Sequence, residues 1–167
     1  LALPAEPTTA IHRRTRDLIF VASPGGGLSE TEAATVVLRR FLRRAYRRQV
    51  RDDEVTRAVD QYGSGRASGL GHESAVKQVM QAALISPKFL LRVEAGRDGA
   101  DPFRVSDWEL ASRLSYFFWS SMPDPELFEL AARGVLHDPD TLSGQVDRML
   151  ADEKADTLGT VFAAQWL

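Results

Sequence analysis

The sequence predicts an all-α protein of six to eight helices joined by short loops. Apolar residues recur at every third or fourth position through most of the chain. Cap-plus-acid or cap-plus-proline signals stand in front of these periodic runs. A single short run, Leu18-Ile19-Phe20-Val21, reads as β-like.

Residues 1–28 differ from the rest of the chain. Pro4 and Pro7 suggest an extended entry, and Pro24 with Gly25-Gly26-Gly27 makes a loop. The β-like run between them is either the last strand of an upstream domain or an arm lying on the helices. Ser29 with Glu32 then forms a capping box, opening a helix expected to reach Arg48. At 100° per residue, Ala34, Leu38, Phe41, Leu42 and Ala45 share one arc, and Arg39, Arg40, Arg43, Arg44, Arg47 and Arg48 share the opposite one. A second helix is expected from Asp52 to Tyr62, with Gly63 as its C-terminal cap and a Gly/Ser loop over 63–71. A third, over 73–85, should turn Val76, Val79, Met80, Ala83 and Leu84 inward. Ser86-Pro87 stops it and starts a short helix through Phe89, Leu90 and Leu91.

Residues 93–104, with Gly96, Asp98, Gly99, Asp101 and Pro102, mark the internal boundary. It separates an N-terminal helical part, 29–92, from a C-terminal one, 105–167, and the two are expected to pack as one unit. Ser106 and Glu109 form a second capping box, with Val105 and Leu110 placed as a hydrophobic staple. The helix they open, to about Ser120, should bury Leu110, Ala111, Leu114, Phe117 and Phe118. Trp108 and Trp119 lie on its other side, and these aromatics are expected near the junction of the two parts. Asp124-Pro125 and Asp138-Pro139 start two more helices. Gly134 ends the first of them, with Leu130 and Val135 available for the accompanying contact. The second should bury Leu142, Val146, Met149 and Leu150. A last helix shows Leu158, Val161, Phe162 and Trp166.

Composition narrows the chemistry. With 44% apolar and 26% charged residues, the chain falls within ordinary globular composition. A net charge of -2 gives no general drive toward nucleic acid or an anionic membrane. The absence of cysteine rules out disulfides, thiolate zinc sites, cysteine nucleophiles and covalent c-type haem attachment within these residues. No apolar run approaches the roughly 20 residues needed to cross a bilayer. The chain opens without Met and stops inside an unfinished helical pattern, so it is expected to be a segment of a larger protein.

Three constellations merit weighing. The arginine row, Arg39 to Arg48, can grip phosphates through paired donors; the alternative is a solvated face paired with carboxylates. Arg113, in an apolar helix, needs an anion, either Glu109 one turn earlier or a ligand. With Asp124, these residues form the candidate catalytic set Arg113, Glu109 and Asp124. The wider acidic group Asp107, Glu109, Asp124 and Glu126 has the types needed for general acid–base work, but helix starts account for most of it. His12, His72 and His137 lack metal-ligand spacing, so no metal site is expected. No glycine loop has a phosphate-binding ending, and no serine has a GxSxG context.

Phe41-Leu42-Arg43-Arg44-Ala45-Tyr46-Arg47-Arg48, Ser86-Pro87-Lys88-Phe89-Leu90, and the run Leu110 to Ser121 with Pro123-Asp124 go together with Arg148-Met149-Leu150-Ala151-Asp152 and Phe162-Ala163-Ala164-Gln165-Trp166-Leu167. Together they resemble the planctomycete-type domains of unknown function 1595 and 1592, in that order, over residues 30–167. The resemblance implies a large exported protein, periplasmic or on the cell surface. It also implies that other domains of the same polypeptide are its partners and that a c-type haem lies elsewhere in it. It supplies no catalytic residues to carry over, and Ala33-Ala34 stand where similar chains often have a cysteine. The leading functional expectation is a helical scaffold or interaction module without a cofactor of its own. The alternatives are part of a hydrolytic or oxidative enzyme acting on polysaccharide, and polyanion binding through the arginine-rich helix.

Overall fold

The computed structural model describes residues 16–91 and 104–163. The predicted extended entry, His12, the boundary glycines and Trp166 lie outside them. Among the described residues there is no strand, only an isolated antiparallel bridge between Gly25 and Leu28, so the all-α expectation holds. The chain divides into two compact units, one reaching Leu91 without residues 47–49 and the other formed by those residues and Arg92–Leu167.

The first unit holds α1 (Glu30–Tyr46), α2 (Asp52–Ala67), α3 (His72–Leu84) and the short α4 (Pro87–Leu90). Its capping box is formed as expected: the Glu32 N–H donates to Ser29 Oγ at 3.2 Å and the Ser29 N–H to Glu32 Oε2 at 2.8 Å. Ala33, Ala34, Val37, Leu38, Leu42 and Ala45 form the buried stripe of α1, which meets Val55, Ala58 and Tyr62 of α2 and Val76, Val79 and Met80 of α3 in one core. Each large aliphatic or aromatic side chain fully buried there contributes about 1.5–3 kcal/mol.

Four expectations for this unit are corrected. The run Leu18–Val21 is not β-like: residues 16–19 make a helical turn, closed by the Phe20 N–H donating to Arg16 O at 2.7 Å. A four-residue apolar run carries no period, and here only Phe20 goes into the core. α1 stops at Tyr46 instead of Arg48, because Arg47 takes a left-handed φ of 53°. α2 passes through Gly63 to Ala67. Gly65 serves packing and not capping: a Cβ there would lie 2.8 Å from Gln78 Oε1 and 3.3 Å from Ala75 Cβ. Leu84 is exposed, since the face through Ala75, Val76, Val79, Met80 and Ala83 leaves it one position beyond the stripe. Ser86 does stand at the N-cap position, with Pro87 next to it, but its hydroxyl is buried without a hydrogen-bond partner.

The second unit holds α5 (Asp107–Trp119), α6 (Pro125–Arg133), α7 (Pro139–Leu150), a 3₁₀ turn (Glu153–Ala155) and a π-helical turn (Leu158–Ala163). Asp124 and Asp138 cap α6 and α7, each accepting a backbone N–H at 2.9 Å, from Leu127 and Thr141. Gly134 ends α6 at φ 67°, with the Val135 N–H donating to Leu130 O. The core gathers Ala111, Phe118 and Trp119 with Leu127, Ala131, Leu136 and Met149.

The buried face of α5 is rotated from expectation. Ala111, Ser112, Ser115, Phe118 and Trp119 are buried, whereas Phe117 is exposed and Leu110 and Leu114 are only partly buried. The indole explains the choice, because its N–H must be satisfied when buried and donates to Met149 O at 3.0 Å. On α7, Met149 is buried but Leu150 is exposed; Gln145 takes an inward place instead. Val161, expected on an apolar face, is exposed as well.

Candidate functional site

The carboxylates singled out by sequence each have a different occupation. Glu109 turns back over its own helix start, where Oε2 accepts from the Ser106 N–H at 2.7 Å and hydroxyl at 2.8 Å. Asp107 Oδ2 accepts the Leu136 N–H at 2.6 Å, and His137 Nε2 lies 3.8 Å from its Oδ1. Glu126 Oε1 accepts from Gln145 Nε2 at 2.7 Å. Arg113 is on the exposed side of α5, beside Leu114, Tyr116 and Phe117 in an open depression that Glu109 and Asp124 do not line.

Asp124 anchors a network across α6 and α7. Arg148 Nη1 donates to its Oδ2 at 2.7 Å, while Arg148 Nε and Nη2 both reach Gln145 Oε1. The guanidinium carbon sits 5.4 Å from the Trp119 ring centroid, and Lys154 Nζ is 4.5 Å from the same ring. Burial alone would raise the Asp124 pKa; the Arg148 guanidinium, the Leu127 N–H and the Lys154 charge outweigh it and hold the carboxyl below the usual aspartate range. This is the arrangement of a structural tie between helices, with every polar atom engaged.

The arginine row is broken up by the fold. Arg39 pairs with Asp52 at 2.9 Å, and Arg40 is exposed on the same helix. Arg43 and Arg44 are half-buried. Arg47 and Arg48 lie past the end of α1, where Arg48 Nη1 donates to Gln49 O at 3.0 Å. The described histidines stand apart: His72 Nδ1 is 2.8 Å from the Tyr62 hydroxyl and His137 Nε2 is 2.8 Å from Val105 O. Among the described residues no three carboxylates or histidines converge as a metal site would require.

The residue that sequence reasoning passed over is Glu54. Its side chain is 3% exposed, and Oε1 accepts from Lys88 Nζ at 2.5 Å. Oε2 accepts the Arg51 N–H at 3.0 Å, and the Arg51 guanidinium stands 3.8 Å away. Lys88 also lies 5.6 Å from the Tyr46 ring centroid. Glu54 therefore does two things: it caps the start of α2 and holds α4 against the bundle. Beside this pair is a recess of about 150 Å³, bordered by α1, α2, α3 and α4. A signal was present. Glu54 is four residues before Ala58 and eight before Tyr62, on the stripe that α2 buries.

The family described as PSD5, protein of unknown function (DUF1595), matches residues 33–94. The family described as PSD4, protein of unknown function (DUF1592), matches residues 105–167. No curated protein and no solved structure matches the chain. The protein thus joins a DUF1595 domain to a DUF1592 domain, and the boundary between the two matches falls in the glycine-rich stretch that the sequence marks.

Proposed function

We propose that this pair of helical domains is an interaction module of a larger exported protein, which docks other domains of the same polypeptide, a c-type haem domain among them. The observation that carries the reading is a concentration of exposed apolar side chains around α4: Ile85 is 77% exposed, Leu90 64% and Leu91 58%. Leaving large aliphatic groups in water forgoes about 1.5–3 kcal/mol apiece, and such concentrations mark interaction surfaces. A second support is the use made of charge. Glu109, Asp124 and Glu54 are spent on caps and helix ties, which is what a scaffold asks of its polar residues. No helix among the described residues is long and apolar enough to cross a membrane. The exported setting and the haem-bearing neighbour rest on the family resemblance.

The test uses the two-domain chain and the remaining domains of its polypeptide produced separately. Calorimetry should detect association between them, and Ile85→Asp/Leu90→Asp should weaken it at least tenfold while leaving the helical circular dichroism intact. Absence of association, or equal affinity in the folded double variant, would refute the reading.

A further inference from the structure

We infer that the recess beside the Glu54–Lys88 pair binds a small monocarboxylate with a compact apolar body, about the size of benzoate. This site adjoins the docking surface, since α4 lends Lys88 to the recess and Leu90 to the exposed patch, but it concerns only the first unit and is tested without the other domains. A recess of about 150 Å³ matches the size of an apolar cavity able to take up benzene. One side of it is small or aliphatic, with Leu42, Ala58, Val79, Ala82 and Ala83 leaving room for a ring or a branched chain, and the other is polar.

Charge selects the head group. Among the residues bordering the recess, Glu54 is the one anion, and Lys88 and Arg57 are the two cations; with Asp53 and Arg51, which pair with them from just outside, the cluster holds three cations against two anions and is net positive. Glu54 is unavailable as a partner for a ligand cation, because Lys88 and the Arg51 N–H already occupy both of its oxygens. An ammonium has three donors. Glu54 takes one at 2.5 Å, and the side chain of Lys88 is 42% exposed, so its remaining donors meet incoming solvent or ligand. Arg57 uses Nη2 on Asp53 and retains its other N–H groups. A carboxylate placed between Lys88 and Arg57 neutralises the lining and receives charge-assisted bonds, while a cation meets repulsion and a neutral analogue leaves the donors without their best acceptor. The Tyr46 ring helps hold the ammonium in place.

The experiment is a ¹H–¹⁵N NMR titration of the whole chain with benzoate, benzyl alcohol and benzylamine. Benzoate should shift amides lining the recess with a Kd on the order of 1 mM, the range open to a ligand of so few atoms. Benzyl alcohol and benzylamine should bind at least tenfold more weakly. Arg57→Gln, a change at an exposed side chain, should cost benzoate about tenfold, and Ala82→Leu should abolish the shifts by filling the space. The proposed site is overturned if benzoate produces no shifts at the recess, or if benzyl alcohol binds as well. Unchanged benzoate affinity in folded Arg57→Gln or Ala82→Leu overturns it too.

Discussion

Replacing Asp124 separates a structural role from a catalytic one, because the two substitutions Asp124→Asn and Asp124→Ala remove different things. Asparagine keeps a side-chain oxygen for the Leu127 N–H and so preserves the cap on α6. It gives up the negative charge that Arg148 grips. Alanine loses both. The charge-assisted bond from Arg148 belongs to a class worth about 1.5–3 kcal/mol, and the partial exposure of the pair, 29% for Arg148 and 20% for Asp124, pulls it to about 1–1.5 kcal/mol by solvent screening. The cap adds about 1 kcal/mol. Asp124→Asn should therefore cost about 1–1.5 kcal/mol and Asp124→Ala about 2–2.5 kcal/mol.

Urea unfolding monitored by tryptophan fluorescence is the assay of choice, since all three tryptophans fall within the sequence of the second unit and the buried Trp119 reports on its unfolding. The sign of the pH dependence comes from the depressed pKa of Asp124. A carboxylate bound more tightly in its ionised form when folded stabilises the protein at pH values above its unfolded pKa, and this contribution disappears as pH falls through the lower folded value. The deficit of Asp124→Asn should thus be complete at pH 7 and shrink below about pH 4. If Asp124→Asn is as stable as the parent, the tie is not what the side chain supplies; if Asn and Ala are equally damaging, the cap contributes nothing.

Three further outcomes are expected. Lys88→Met strands the buried carboxylate of Glu54 and should destabilise by about 2–3 kcal/mol, below the full penalty for a sealed pair because Lys88 is partly solvated; adding Glu54→Gln should recover part of this, and a double variant worse than both singles would contradict it in urea melts. Gly63→Ala should stabilise by about 0.5–1 kcal/mol, since the position is inside α2 with nothing within 4 Å of a new Cβ; a lower melting temperature would count against a helix continuous through Gly63. Ser106→Ala should cost about 1 kcal/mol through loss of the α5 cap, read as a lower urea midpoint by the same tryptophan signal.

Local signals in this sequence translate into structure wherever the deciding interaction spans a few residues. Ser29 with Glu32, Ser106 with Glu109, Asp124 and Asp138 all cap as their spacing requires, because an N-cap side chain needs only a backbone N–H two or three residues on. The glycines show where this fails. Gly134 ends α6 in the left-handed region, but Gly63, placed just as well for a cap after Tyr62, continues its helix. The difference is tertiary: α3 passes so close to α2 at Gly65 that extending the helix gains contacts which a cap at Tyr62 would forfeit.

The candidate site was less legible for a related reason. A hydropathy pattern scores Glu54 as polar and, after Asp52 and Asp53, as one more carboxylate complementing a helix dipole. Only its phase, four residues before Ala58 and eight before Tyr62, placed it on the buried stripe, and phase alone does not supply the cation that makes burial tolerable. That cation, Lys88, stands in another helix thirty-four residues on. The Arg148 tie has the same character, reaching Asp124 twenty-four residues back while stacking on Trp119. Burying a charge is tolerable only with its partner present, so each such residue is meaningful as half of a pair. The informative charged residues are those whose helical phase puts them among the apolar ones, and the functional question is what else can reach the partner that keeps them there.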